Sequence, residues 1–194
     1  EAEGMEPVQA LALFYDFKQL TPVGADGDEM VRKLARRLVD VDLLDQAGEL
    51  LKYQADNRLD GVPRAQVATD LATVQLMARR PEQALNALAA SRNTLLPTAL
   101  QNERRIIEAR AWLQLNQLDH AEEILGKDAS PEASDLRAEV AWKRRDWPTA
   151  GKLFEAGLGD HSLTPELPLN VDQESKLLRA AICYSLGGDD AGLA

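Results

Sequence analysis

The chain has one cysteine, two histidines, nine aromatic residues and no apolar run long enough to cross a bilayer. Each scarcity excludes a class of protein. A single thiol, Cys183, forms no internal disulfide and no multi-cysteine zinc site. A membrane span requires roughly 20 consecutive apolar residues, and no stretch comes near that. Basic residues are the minority: 22 Lys and Arg stand against 32 Asp and Glu, a formal net charge of −10. Duplex nucleic acid and anionic membrane both call for a concentrated basic surface, so neither is expected as the main partner. There is no signal peptide. The sequence begins at Glu1 without a Met, and we read it as one portion of a longer chain.

The 194 residues, 45% of them hydrophobic, suffice for one sizeable domain or a compact array of small units. Strand alternation is absent. Apolar residues recur at three- and four-residue spacing in "EMVRKLARRLVDV", "AQVATDLATVQLM", "RRIIEARAWLQL" and "SDLRAEVAWKRR". Each is followed by a shorter helical stretch: "DQAGELLKYQ", "PEQALNALAAS", "LDHAEEIL" and "WPTAGKLFEAGL". Pro81 and Pro148 fall in the first turn of such stretches, where a proline lacks only an amide that has no helical partner.

The helix pairs repeat. Ala47, Ala84, Ala121 and Ala150 stand in the second helices at spacings of 37, 37 and 29 residues. Twelve residues before each stands another Ala, at 35, 72, 109 and 138, and four residues after come Leu51, Leu88, Leu125 and Phe154. Leu44, Pro81, Leu118 and Trp147 occupy the bulky turn position, which accounts for a Trp beside a Pro at the start of the fourth second helix. The short last spacing predicts that the helix after Ala121 ends early, near "GKDASPE". Small residues on both members of a pair allow their axes to approach within about 8–10 Å.

With Trp112 on a first helix and Asp146-Trp147 at a turn, these residues resemble a degenerate tetratricopeptide (TPR) repeat, a helix-turn-helix of about 34 residues. The resemblance covers roughly Asp28 to Gly157 and implies an all-α, right-handed α-solenoid of stacked helix-turn-helix repeats. The expected organisation is an N-terminal docking helix and loop over 1–27, four helix pairs over 28–158, an irregular loop over 159–171 and a partial fifth repeat over 172–194. Phe14, Tyr15 and Phe17 place a concentrated aromatic face on the docking helix. The wording also resembles the C-terminal part of large bacterial TPR proteins anchored in a membrane upstream, which leans the expected location toward the bacterial cell envelope.

In this family the first helices line a concave groove. By register the resemblance assigns to it Arg32 and Arg36, then Thr69, Thr73 and Met77, then Arg110, Leu113 and Gln114, and finally Glu139, Trp142 and Lys143. Such a face, basic at one end and acidic-aromatic at the other, suits a peptide or a partner's helix. Trp142 is the expected anchor. The carboxylate clamp of the chaperone-binding subfamily is not expected, because Asp70 and Glu103 stand at its places and no Asn does.

For chemistry there is little. "DGDE" at Asp26 to Glu29 lacks the downstream spacing of a calcium loop and reads as a helix start capped by Asp28. His120 and His161 are far apart, Cys183 lies on an apolar helix face, and neither a phosphate-binding Gly loop nor a nucleophile elbow is present. No cofactor, metal or catalysis is expected. The sequence points to a non-catalytic protein-interaction scaffold. Its alternatives are a self-assembling module, with a homo-oligomer as the consequence, and a regulatory segment of an enzyme whose catalytic domain lies elsewhere in the chain.

Overall fold

The computed structural model describes residues 6–17, 24–92, 95–159 and 168–193, and among these it is all helix. Two compact units divide the chain, Glu1–Gln114 and Leu115–Ala194. The first holds α1 (Pro7–Phe17), α2 (Ala25–Asp40), α3 (Leu44–Asn57), α4 (Gly61–Met77), α5 (Pro81–Ala90) and α6 (Thr98–Gln114). The second holds α7 (Leu118–Leu125), α8 (Pro131–Arg144), α9 (Trp147–Ala156), α10 (Val171–Gly187) and the single turn α11 (Asp190–Leu193). As the short spacing requires, α7 is only eight residues long.

Five turns carry the repeat in the backbone. Asp42, Arg79, Asn116 and Arg145 all have φ near 60°, and they stand five residues before Ala47, Ala84, Ala121 and Ala150. A fifth turn has Gly188 at φ 70°. The left-handed conformation costs an L-residue about 1–2 kcal/mol, and here it lets the last turn of each first helix close on itself. In the turns at Asp42, Arg79, Arg145 and Gly188, the next amide reaches back five residues. Leu43 N–H donates to Leu38 O, Arg80 N–H to Gln75 O, Asp146 N–H to Ala141 O and Asp189 N–H to Tyr184 O, all at 2.8 to 2.9 Å. These bonds satisfy carbonyls that the helix end leaves without partners.

The repeating small residues are buried throughout. Ala35, Ala72, Ala109 and Ala138 lie on the first helices, seven residues before their turns, and Ala47, Ala84, Ala121 and Ala150 on the second; none is more than 2% exposed. In α10 the buried small residue is Ala180, eight residues before its turn. Leu51, Leu88, Leu125 and Phe154 are buried as well. Gly48 and Gly151, directly after two of the alanines, are a feature the alignment passed over. A side chain at Gly151 would put its Cβ 2.8 Å from the Tyr184 ring, so glycine is what lets α9 approach α10. At Gly48 the Gln75 amide lies 3.1 Å from the corresponding point, with Leu71 and Val74 behind it, which sets α3 against α4.

At the N-terminus Ala10, Leu11 and Phe14 of α1 are buried, with Phe14 edge-on to Tyr53 of α3 at 6.4 Å between ring centroids, whereas Tyr15 is exposed. The side chain of Phe17 and the remainder of the expected loop at 18–23 lie outside the described residues, as do His161 and most of the loop expected over 159–171. Two boundaries are corrected. Helix α2 begins at Ala25 after Gly24, so Asp28 is a first-turn residue and not the cap. Its backbone oxygen accepts from Gln54 Nε2 at 3.0 Å, and its carboxylate lies 3.5 Å from Arg58. Helix α10 begins at Val171, inside the expected loop, because Asn170 and Gln173 form a reciprocal capping box there.

Among the described residues of the first unit one charged residue is buried. Arg104 of α6, only 8% exposed, donates to Ala65 O (3.0 Å) and Thr69 Oγ1 (3.1 Å) on α4. Its other terminal nitrogen donates to Leu88 O (2.6 Å) and Ser91 Oγ (3.1 Å) at the end of α5. Burial lowers its pKa from the ordinary arginine value. A cation at the carbonyl end of a helix is favourable both as a hydrogen-bond donor and against the helix dipole. The second unit also meets carbonyls beyond its short helices with side chains: Arg137 of α8 donates to Gly126 O at 2.7 Å and Asp128 O at 2.6 Å beyond α7, and the neutral amide Gln173 Nε2 of α10 to Leu158 O at 3.2 Å beyond α9.

Replacing Ala72 by Leu forces a branched side chain into the α4 packing and is expected to lower stability by about 1–3 kcal/mol. Arg104→Ala withdraws four buried hydrogen bonds at once and is expected to cost about 2–4 kcal/mol. Chemical denaturation of both variants beside the parent protein checks these values; an unchanged midpoint for either would contradict the packing assigned to it.

Candidate functional site

The left-handed turn residues supply a register for the first helices. Counting back ten, six and two residues gives Arg32, Arg36 and Asp40 on α2; Thr69, Thr73 and Met77 on α4; Ile106, Arg110 and Gln114 on α6; and Asp135, Glu139 and Lys143 on α8. These are largely the positions assigned to a groove from sequence. The structure separates them into residues occupied by the fold and residues that face outward.

Arg32 is occupied. Its Nε lies 2.9 Å and its Nη2 2.8 Å from Asp70 Oδ2, a two-nitrogen grip between α2 and α4. The residue that would repel an incoming carboxylate is thus also the one that neutralises the cation. Thr69 is corrected from a groove residue to a core residue: it is fully buried, donates to Ala65 O at 2.7 Å and accepts from Arg104. Gln114 is half-buried and directs its amide N–H to Leu76 O at 3.1 Å, and Leu113 is buried. By contrast Arg36 is exposed and meets Glu29 at 2.6 Å on its own helix, and Thr73, Met77 and Arg110 are exposed.

In the second unit Glu139 is held by Arg179 of α10, through Nη2 to Oε2 at 3.3 Å and a closer contact of Nη1 with Oε1. Trp142 is half-buried and acts as a packing residue. It is edge-on to Trp147 at 5.5 Å and to Phe154 at 6.0 Å, and the Arg179 guanidinium lies 5.2 Å from its ring centroid. The Trp beside a Pro at the start of α9 is therefore half of an aromatic pair that locks α8 to α9. Lys143 is exposed. Thus the pattern of small and bulky residues located the helix pairs, while the partners that consume Arg32 and Glu139 stand 38 and 40 residues away on the next first helix.

A cleft of about 320 Å³ opens in the first unit where α3 and α5 flank α4. Its floor is apolar, with Ala68, Leu71 and Ala87, and its walls carry Lys52, Arg64 and Asn86. This concavity is lined by α4 together with the second helices α3 and α5, and no sequence signal marked it. Lys52 is engaged with Asp56, one turn on.

Among the described residues no group of His, Cys, Asp and Glu could hold a metal ion, and no helix is long and apolar enough to cross a membrane. Cys183 is fully buried, and burial raises its pKa against the opposing pull of Arg179. A buried, protonated thiol is a packing residue and a poor nucleophile. Its neighbour Tyr184 is pushed up to about 12, by burial first and then by the hydrogen bond its hydroxyl donates to Glu155.

The proton on Tyr184 is consequently part of the α9–α10 packing. Its folded-state pKa lies above the unfolded value near 10.0, so its contribution is complete below pH 10 and is lost as pH rises toward 12. The stability of the parent protein is expected to fall more steeply across that window than that of Tyr184→Phe, as read by urea denaturation at pH 9, 10 and 11; parallel decline of the two would refute it.

Comparison with protein-family models, with curated proteins and with solved structures finds no match to this chain.

Proposed function

We propose that the chain is a TPR-like array, a right-handed α-solenoid of helix pairs, that serves as a non-catalytic scaffold binding another protein through the outward positions of its first helices. The observation that carries this reading is the recurrence of one turn. A left-handed residue seven places after a buried Ala and five before another recurs at 42, 79, 116 and 145. Repeated helix pairs of this kind present a long, regularly spaced surface, and proteins built from them work as binding surfaces.

The binding face is assigned to the first unit. Arg36, Thr73 and Arg110 stand at one register position on α2, α4 and α6, with Met77 one turn beyond Thr73, and all four are exposed. Two guanidinium groups and a flexible thioether suit a segment that carries carboxylates and one apolar anchor, with Arg36 exchanging its Glu29 partner for the ligand and Thr73 keeping its hydroxyl on Thr69 O. In an acidic chain a local basic face of this kind is selective, since the remaining surface repels the same ligand.

A photoactivatable cross-linking residue at position 77 is expected to join the protein to a different polypeptide in native extract. The adduct should disappear when Arg36 and Arg110 are both changed to Glu in a protein of unchanged melting temperature. An adduct only with its own chain would instead favour self-assembly, and an adduct indifferent to the two arginines would reject this face.

A further inference from the structure

The scaffold face leaves the cleft along α4 without a role. Fifteen, eleven, eight and four residues before the turn at Arg79 stand Arg64, Ala68, Leu71 and Gln75, one stripe of α4 that lines it from end to end. At 1.5 Å per residue this stripe is about 16 Å long. In the same register α2 holds Val31, Leu34 and Leu38, which pack with Leu11 and Phe14 of α1. On α6 the stripe holds Arg105, Glu108 and Trp112, and on α8 Arg137 is turned onto the carbonyls beyond α7. On α4 its middle is Ala68 and Leu71, and the facing walls add Ala55, Ala87 and Ala90. The cleft is this shortage of side-chain volume.

Its corners are closed by the fold. At Gly48 of α3 the Gln75 amide lies 3.1 Å from where a side chain would start, and the turn from α4 to α5 shuts the same end with Arg80 N–H on Gln75 O at 2.8 Å. At the other end residues 58–60 join α3 to α4, and Arg104 bonds Ala65 O of α4 and Ser91 Oγ of α5. A polypeptide segment has no passage to run through lengthwise. The volume of about 320 Å³ stands at the small end of ligand sites.

Charge narrows the occupant. Lys52 and Asp56 on the α3 wall engage each other one turn apart. Arg64 is half-buried, and among the described residues no carboxylate or side-chain acceptor meets its guanidinium. Elsewhere the chain does not leave such cations alone: Arg32 has Asp70, Arg104 has four acceptors, Arg144 has Asp119 and Glu122, and Arg179 has Glu139. A planar guanidinium takes a carboxylate through two parallel N–H donors. Beside it, Ala68 and Leu71 offer hydrocarbon.

We propose that the cleft between α3, α4 and α5 is a binding site for a small aliphatic carboxylate, with the carboxylate on Arg64 and the hydrocarbon body on Ala68 and Leu71. The site shares no residue with the Arg36, Thr73, Met77 and Arg110 face, and either can fail alone.

The test is an NMR titration of the isotope-labelled 194-residue chain with isocaproate, beside its uncharged amide and beside acetate. Isocaproate is expected to shift the signals of the cleft residues saturably, and each control to bind about tenfold or more weakly, since one lacks the charge and the other the apolar body. Arg64→Gln should weaken isocaproate by a similar factor and leave the amide unchanged. Ala90→Phe, at an exposed position on the rim, should abolish binding of both, and the Arg36→Glu, Arg110→Glu double variant should bind undiminished. Equal melting temperatures confirm that each variant is folded. Absence of saturable shifts in the cleft, equal affinity for acid and amide, or indifference to Arg64→Gln overturns the proposal. So does a glycine-flanked Leu-Glu peptide that binds more tightly than the free acid, which would make the occupant a polypeptide segment.

Discussion

Every helix in a short-helix protein ends in carbonyls with no partner, and the way this chain satisfies them shapes both of its units. A helix of eight to ten residues, such as α5, α7 or α9, spends a large share of its length on its two ends. Three of these ends are met by a side chain sent from the following first helix: Arg104 to Leu88 O, Arg137 to Gly126 O and Gln173 to Leu158 O. Each bond crosses between helix pairs or between a pair and its successor, so closing a helix terminus and fixing the neighbouring helix become one event. Arg104 carries this furthest, because it joins α4, α5 and α6 through a single planar group whose donors point in fixed directions.

The same economy governs the electrostatics. The chain is strongly acidic, yet several of its cations are spent internally: Arg32 on Asp70, Arg179 on Glu139, and Lys176 on Asp135 and Asp172. Except for the Lys176–Asp172 pair, which lies within α10, these pairs bind consecutive first helices within a unit. At the outward register positions of the first unit Arg36 and Arg110 are exposed together with Asp40, and on α10 the exposed positions Leu178, Ile182 and Leu186 are apolar.

Much of the fold was legible because backbone sterics are local. The Ala residues at 35, 72, 109 and 138 and at 47, 84, 121 and 150 mark crossings where a larger side chain has no room, and all eight are buried. The short spacing after Ala121 appears directly as the eight-residue α7. Residue roles were less legible. Thr69 and Trp142 sit at outward positions by register, but Thr69 is drawn into the core by Arg104 and Trp142 is covered by Trp147, Phe154 and Arg179. Register fixes where a side chain starts, and packing decides which neighbour meets it: Arg104, 35 residues on, for Thr69, and Trp147 and Phe154 of the adjoining helix for Trp142.

The sequence by itself determined that the chain is helical and which small residues hold the helices close, since these follow from periodicity and from the space beside a backbone, while the starts of α2 and α10 were set by local caps it did not reveal. Tertiary structure alone decided which polar groups remain outward. A charge becomes part of a surface or part of a scaffold according to whether a complementary group reaches it, and that depends on the packing of helices distant in sequence. Arg32 and Arg36 differ by one helical turn; the first is gripped by Asp70 of the next first helix, the second by Glu29 of its own helix.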